Sequence, residues 1–128
     1  ELLDLYPTLS SLCGLPKQGR LQGKDISPML DDPSYEVREE AFCVAPMRTG
    51  FLLRNRKYAF IQYGEKLPSK LKGGFEHGRN GIELFDMEKD PQQFTNLADT
   101  LEFQPVVQSF RKKLEEKLVA IRDCDLRK

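Results

Sequence analysis

Between positions 103 and 121, apolar side chains recur at intervals of three and four: Phe103, Val107, Phe110, Leu114, Leu118 and Ile121. That spacing lays them along one stripe of an α-helix, and so long a stripe must be covered by a surface of similar size. Arg111 with Glu115 and Lys112 with Glu116 fall at i, i+4 on the opposite, solvated side. Pro105 stands early enough to occupy the first turn, where its missing N–H is no loss. The rest of the chain therefore has to supply a layer for this helix to lie on.

The middle of the sequence can do so. Residues 40–46 (EAFCVAP), 50–55 (GFLLRN) and 57–64 (KYAFIQYG) have the β-branched and aromatic content of strands, with Gly or Pro at most of their boundaries. In the third, Tyr58, Phe60 and Gln62 point one way while Ala59, Ile61 and Tyr63 point the other. The short Asn-Arg-Lys step before it predicts a hairpin, and residues 82–87 (IELFDM) predict a fourth strand. At the start, Leu2, Leu5, Tyr6, Leu9, Leu12 and Cys13 lie on one helical face, with Pro7 in the first turn and Gly14 as the stop. Residues 14–34 then read as a surface loop with one helical turn. The expected fold is α+β: an N-terminal helix and a small antiparallel sheet of about four strands, covered by the long C-terminal helix.

The 128 residues suit one core, and 20 basic against 20 acidic side chains leave no one-sign field of the kind that nucleic acid recruits. No apolar run approaches the roughly 20 residues that span a bilayer, and no targeting signal is visible. The chain opens on Glu1 inside an apolar periodicity, which predicts a piece of a longer protein. Cys13, Cys43 and Cys124 form no close pair and are expected to be packing thiols.

Chemistry-bearing residues are few. Asp86, Glu88 and Asp90 alternate like the opening of a calcium loop, but Pro91 and Leu97 stand where such a loop needs Gly and Glu. An acidic turn, ended by an Asp-Pro step that a strand cannot continue through, accounts for the same residues. His77 is the single histidine, so any Ser-His-Asp or Cys-His arrangement has to pass through it. It lies in residues 64–80, a long Gly-rich segment that also carries Lys66, Lys70, Lys72 and Arg79. His77 reads either as a solvated loop residue or as half of a ligand-facing pair in which Arg79 meets a sulfate or carboxylate. Arg48, just before the predicted hairpin, joins them if the strands bring it to the same edge.

Four patches in order carry a resemblance. "LLDLYPTLSSLCGLP" resembles the "xxDLxPTLxxLaGxxxP" of type I sulfatases, and "LQGKDISPMLDDP" resembles their "LxGxSLxPLLxdP". "MRTGFLLRNRKYAFIQY" is similar to the family's "xRtxxyxlRxdrYkYixY", and "IELFDMEKDPQQFTNLAD" to "ELYDLEKDPgEtxNLA". The pattern sits nearest to iduronate-2-sulfatase-like enzymes.

The resemblance implies the sulfatase C-terminal subdomain, within the alkaline-phosphatase-like superfamily. Residues 1–34 would then be a helix and loop linking to a catalytic domain outside the chain, and 35–128 the α+β subdomain. It implies a parent that hydrolyses sulfate esters of saccharides such as iduronate 2-sulfate. Such a parent uses a formylglycine and a calcium or magnesium ion, and is exported to a periplasmic, extracellular or lysosome-like space. It assigns no catalytic or metal-binding residue to this chain. "CVAPMR" from Cys43 places its Pro and Arg one residue too far along for the family's C/S-x-P-x-R. The chain alone is expected to be inactive, to offer Lys72, His77, Arg79 and Arg48 to a substrate rim, and, once excised, to pair through its N-terminal leucines. The competing reading is an autonomous carbohydrate-binding or protein-interaction module of the same fold.

Overall fold

A computed structural model describes residues 1–45, 50–63 and 81–123, with Arg122 and Asp123 described in their backbone only. The chain divides into two units, Glu1–Glu39 and Glu40–Asp123.

In the second unit the described residues form one antiparallel sheet in the order β1 (Ala41–Val44), β2 (Gly50–Arg54), β3 (Tyr58–Tyr63), β4 (Ile82–Asp86). The β2–β3 hairpin turns where Asn55 predicts it: its N–H donates to the Tyr58 carbonyl at 3.0 Å, and its Oδ1 accepts from the Lys57 and Tyr58 amides at 3.0 and 2.7 Å. Because side chains alternate, the register sets Phe42, Leu53, Phe60 and Leu84 in one cross-strand row. The long helix α2 (Gln104–Asp123) covers that row with Val107, Phe110 and Leu114. Phe110 stacks on Phe60 with ring centroids 5.5 Å apart and meets Tyr58 edge-on at 6.3 Å. The expected stripe holds through Leu118 and then runs off the core, since Ile121 is exposed. At β1, Lys113 pairs with Glu40 and the Lys117 ammonium lies over the Phe42 ring.

The acidic turn after β4 uses its carboxylates on its own backbone. Asp86 Oδ1 accepts from the Glu88 and Lys89 amides, both at 3.0 Å, and Asp90 Oδ2 accepts from Thr95 N–H at 2.8 Å. Asp90 and Pro91 open a turn closed by Gln93 N–H on the Asp90 carbonyl, with Gln93 in the left-handed region at φ 59°.

Asn96 then does what a further strand would do for β4. Its Oδ1 accepts from Leu84 N–H at 3.0 Å and its Nδ2 donates to the Ile82 carbonyl at 3.3 Å, while Leu97 N–H donates to the Leu84 carbonyl at 2.8 Å. An edge that would otherwise invite another chain is thereby closed. Asn96→Ala strips partners from part-buried backbone groups and is expected to cost about 1 to 3 kcal/mol, read as a lower urea midpoint at unchanged slope. A midpoint equal to that of the unaltered chain would mean that water replaces the amide without loss.

The first unit holds α1 (Leu5–Leu12), entered through a short 3₁₀ turn at Leu2–Asp4 and stopped at Gly14, whose φ of 68° suits a residue without Cβ. A second 3₁₀ turn, Ser27–Leu30, is the helical turn expected in the loop.

Candidate functional site

The four residues expected at a substrate rim, Arg48, Lys72, His77 and Arg79, lie outside the described residues. The residues that flank them in sequence are described. The described residues run to Ala45 and resume at Gly50, then run to Tyr63 and resume at Gly81. Gly50 is the register partner of Tyr63, Ala45 N–H donates to the Gly50 carbonyl at 2.9 Å, and Tyr63 N–H donates to the Gly81 carbonyl at 2.7 Å. Gly50, Tyr63 and Gly81 therefore stand side by side at one end of the sheet.

Tyr63 is the centre of this end. Its hydroxyl donates to Glu83 Oε2 at 3.2 Å, and burial, followed by the neighbouring Glu83 charge and that hydrogen bond, pushes its pKa up to about 12. The phenol thus remains a donor through the neutral range. A Cβ on Gly50 would lie 3.2 Å from Tyr63 Cδ1, so a side chain there would press on the ring. Gly81, at φ 65°, takes the conformation that lets the returning chain enter β4.

The first unit shows an inversion that periodicity did not signal. Leu2, Leu5, Tyr6, Leu9 and Leu12, the apolar side of the expected helix, are all more than half exposed, with Leu2 at 87%. The covered face carries Asp4, 1% exposed, and Thr8, 9% exposed. Asp4 is the hub. Arg38 grips both of its oxygens, at 2.5 and 2.7 Å, Lys24 N–H donates to Oδ1 at 2.8 Å, and the Glu1 backbone nitrogen to Oδ2 at 2.9 Å. The Arg38 hydrogen bonds are the largest cause holding the Asp4 carboxyl far below the usual carboxylate range, against the opposing effect of burial. Thr8 extends the network, donating to the Asp4 carbonyl at 2.6 Å and accepting from Ile26 N–H at 3.0 Å. Gly23 passes so close that a Cβ would stand 2.0 Å from the Leu3 carbonyl oxygen, which leaves no room for any other residue there.

Beside this network is an open groove of about 720 Å³, with Ser10, Ser11, Lys17, Lys24, Asp25 and Tyr35 among its lining residues. Lys24 and Asp25 are engaged at home: Lys24 Nζ donates to the Val37 carbonyl at 3.0 Å, and hydrogen bonds from Ser11 first and then Ser27 hold Asp25 below its ordinary value.

Cys13 and Cys43 are free thiols at exposed positions, which corrects the expectation that they pack in a core; Cys124 lies outside the described residues. Cys43 falls on edge strand β1, where alternation turns it away from the face that α2 covers. Among the described residues no group of three or more His, Cys, Asp or Glu side chains could hold a metal ion, and no helix is long and apolar enough to cross a membrane.

No protein-family model matches the chain. Individual relatives do. Arylsulfatase K of Danio rerio is 27% identical over 123 residues, covering 89% of this chain and 21% of the relative. Delta 4,5-hexuronate-2-O-sulfatase of Bacteroides thetaiotaomicron is 26% identical over 129 residues, covering 94% of this chain and 24% of the relative. The chain thus spans about a fifth to a quarter of the length of the curated relatives it matches. Among solved structures, a 2-O GAG sulfatase superposes with a TM-score of 0.70 at 24% identity, over 94% of this chain and 25% of that one. The phosphonate monoester hydrolase of Agrobacterium radiobacter superposes at 0.59 with 20% identity, over 88% of this chain and 23% of that one. The likeness to these structures is one of fold.

Proposed function

We propose that this chain, a sulfatase relative along almost its whole length, is the C-terminal part of a formylglycine-dependent enzyme that hydrolyses sulfate esters of saccharides. The observation that carries this reading is the match over 89 to 94% of the chain to sulfatases, one of them named for a hexuronate 2-O-sulfate. An iduronate 2-sulfate substrate is the finer form of the proposal. The names of the relatives support a 2-O-sulfated uronate more directly than iduronate itself.

Cys43 stands on a strand, and in the sequence Pro46 and Arg48 each lie one position too far along for a formylglycine motif. The formylglycine and the calcium or magnesium ion would belong to the rest of the parent. The part of this chain is twofold. The exposed leucines of α1 offer an apolar seat for that remainder, and residues 46–49 and 64–80 supply Arg48, Lys72, His77 and Arg79 to an anionic sugar. The parent, acting on such polymers, would be exported.

The test has two arms. The purified 128-residue chain, with or without added calcium, is expected to release no sulfate from an aryl sulfate above a heat-killed control. In the parent, His77→Ala and Arg79→Ala are each expected to raise KM for a sulfated saccharide while leaving a small aryl sulfate nearly unaffected, because uniform binding is lost away from the reacting bond. Turnover by the isolated chain that Cys43→Ala abolishes would overturn the assignment of the chemistry elsewhere. Equal effects on both substrates, or none, would leave the chain a buttress only. An autonomous binding module would instead hold the saccharide as tightly without the parent as with it.

A further inference from the structure

The groove of about 720 Å³ beside the Asp4 network is lined entirely by residues of the first unit, and its size falls within the roughly 300 to 1,000 Å³ of sites for small ligands. It lies on the side of α1 away from the exposed leucines. At about 100° a residue, Pro7, Ser10 and Ser11 of its wall project opposite Leu5, Leu9 and Leu12. A surface that seats on the leucines therefore leaves the groove open.

The lining has the chemistry of a sugar site. Leu15 and Leu21 give it apolar wall, and Tyr35, 42% exposed, adds a flat ring with a polar tip, which suits the C–H face of a pyranose. Asp25 is occupied by Ser11 and Ser27, and Lys24 by the Val37 carbonyl. Among the described residues, by contrast, no side-chain hydrogen bond engages Lys17, Gln18 or Tyr35. The groove thus keeps an ammonium, an amide and a phenol for a ligand. Lys17 and Lys24 against Asp25 leave a net positive charge, which favours an anionic sugar over a neutral one.

We infer that this groove binds an anionic sugar residue, its acid group on Lys17 and its ring on Tyr35. The choice of a saccharide rests on the function proposed above. Where the same polymer is also held by the rest of the parent, a grip here raises its affinity by effective concentration alone.

Calorimetry on the 128-residue chain tests this with three probes: a disaccharide bearing one sulfate and no other charge, the same disaccharide without the sulfate, and inorganic sulfate. The sulfated disaccharide is expected to bind about tenfold more tightly than its uncharged counterpart, the effect of one charge-assisted hydrogen bond, and more tightly than inorganic sulfate, which never meets the ring. Lys17→Gln is expected to bring the two disaccharides to one affinity, and Tyr35→Ala to weaken both. No binding by the unaltered chain, or inorganic sulfate held as tightly as the sulfated sugar, would overturn the inference. So would an affinity that Lys17→Gln leaves unmoved, whatever the fate of Tyr35→Ala, because the sugar would then sit elsewhere. In the parent, Lys17 is expected to react with an acylating reagent and to be protected by the sulfated disaccharide; a Lys17 shielded before any sugar is added would mean that the parent itself fills the groove, and would remove the site. The two readings fail separately. A parent that cleaves a sulfated saccharide while the chain does not bind one keeps the function and loses the groove; Lys17-dependent binding in a parent that cleaves no sulfate ester keeps the groove and loses the function.

Discussion

Replacing Leu114 by alanine is expected to lower the stability of the sheet and helix unit by about 2 to 5 kcal/mol, the range for truncating a large aliphatic side chain in a packed interior. Leu114 is 2% exposed and belongs to the cluster that α2 and the sheet share with Leu53, Phe60 and Leu84. The strands beneath it are hydrogen-bonded into a sheet, so the cavity cannot collapse without bending a ladder, which puts the loss toward the upper part of that range. A small domain has only about 5 to 15 kcal/mol in total, so the urea midpoint should fall far enough to see without fitting. Phe110→Ala removes a ring that touches both Phe60 and Tyr58 and should behave alike. The control is Glu116→Ala on the solvated side, whose partner Lys112 stands 3.9 Å away with both side chains exposed; a pair of that kind is worth at most about 1 kcal/mol. If Leu114→Ala unfolds where the unaltered chain does, α2 does not lie on the sheet.

The second large effect belongs to the first unit. Asp4→Ala leaves the Arg38 guanidinium only the Glu1 carboxylate, 3.0 Å away, and Lys24 N–H without its carboxylate acceptor; removing one member of a buried pair is expected to cost about 3 to 5 kcal/mol. Asp4→Asn fills the volume but offers one acceptor oxygen in place of two, and should fall between. The pH dependence has a definite sign. Asp4 titrates well below its ordinary value in the folded chain, so its contribution is fully present above the unfolded aspartate value of about 3.9 and is lost as pH falls below it, toward the depressed folded value. Arg38, its own pKa raised chiefly by the hydrogen bond to Asp4, stays charged throughout. Melting followed by a probe in residues 1–39 should therefore change little from this pair between neutrality and about pH 5, then drop in more acidic buffer. In Asp4→Asn that acid limb should flatten while the neutral plateau is lowered. An acid limb of the same depth in both chains would show that other carboxylates govern it.

Periodicity carried the reading furthest where one face of an element was apolar and its partner layer was close by. The stripe from Phe103 to Leu118 and the alternation in β3 each leave one arrangement that removes their apolar side chains from water, and α2 and the sheet adopt it. Turn chemistry was legible for the same local reason: Asn55 and Asp86 bond to amides two or three residues away, and those spacings can be read directly.

The tertiary structure alone decided which face of α1 is covered. Spacing identified the helix and its apolar side, but Asp4 is buried because Arg38, 34 residues on, closes on it, and no local pattern announces that pairing. Asn96 likewise reads as a loop residue until β4 stands beside it and its amide takes the place of a strand. For the candidate site the sequence by itself supplied the types of residue, a histidine among lysines and arginines, while the meeting of Gly50, Tyr63 and Gly81 at one end of the sheet followed from register, which only the folded sheet contains. The division has one physical cause: hydrophobic periodicity acts over a few residues of chain, whereas a salt bridge or a sheet edge is satisfied by whatever the fold brings near, however distant in sequence.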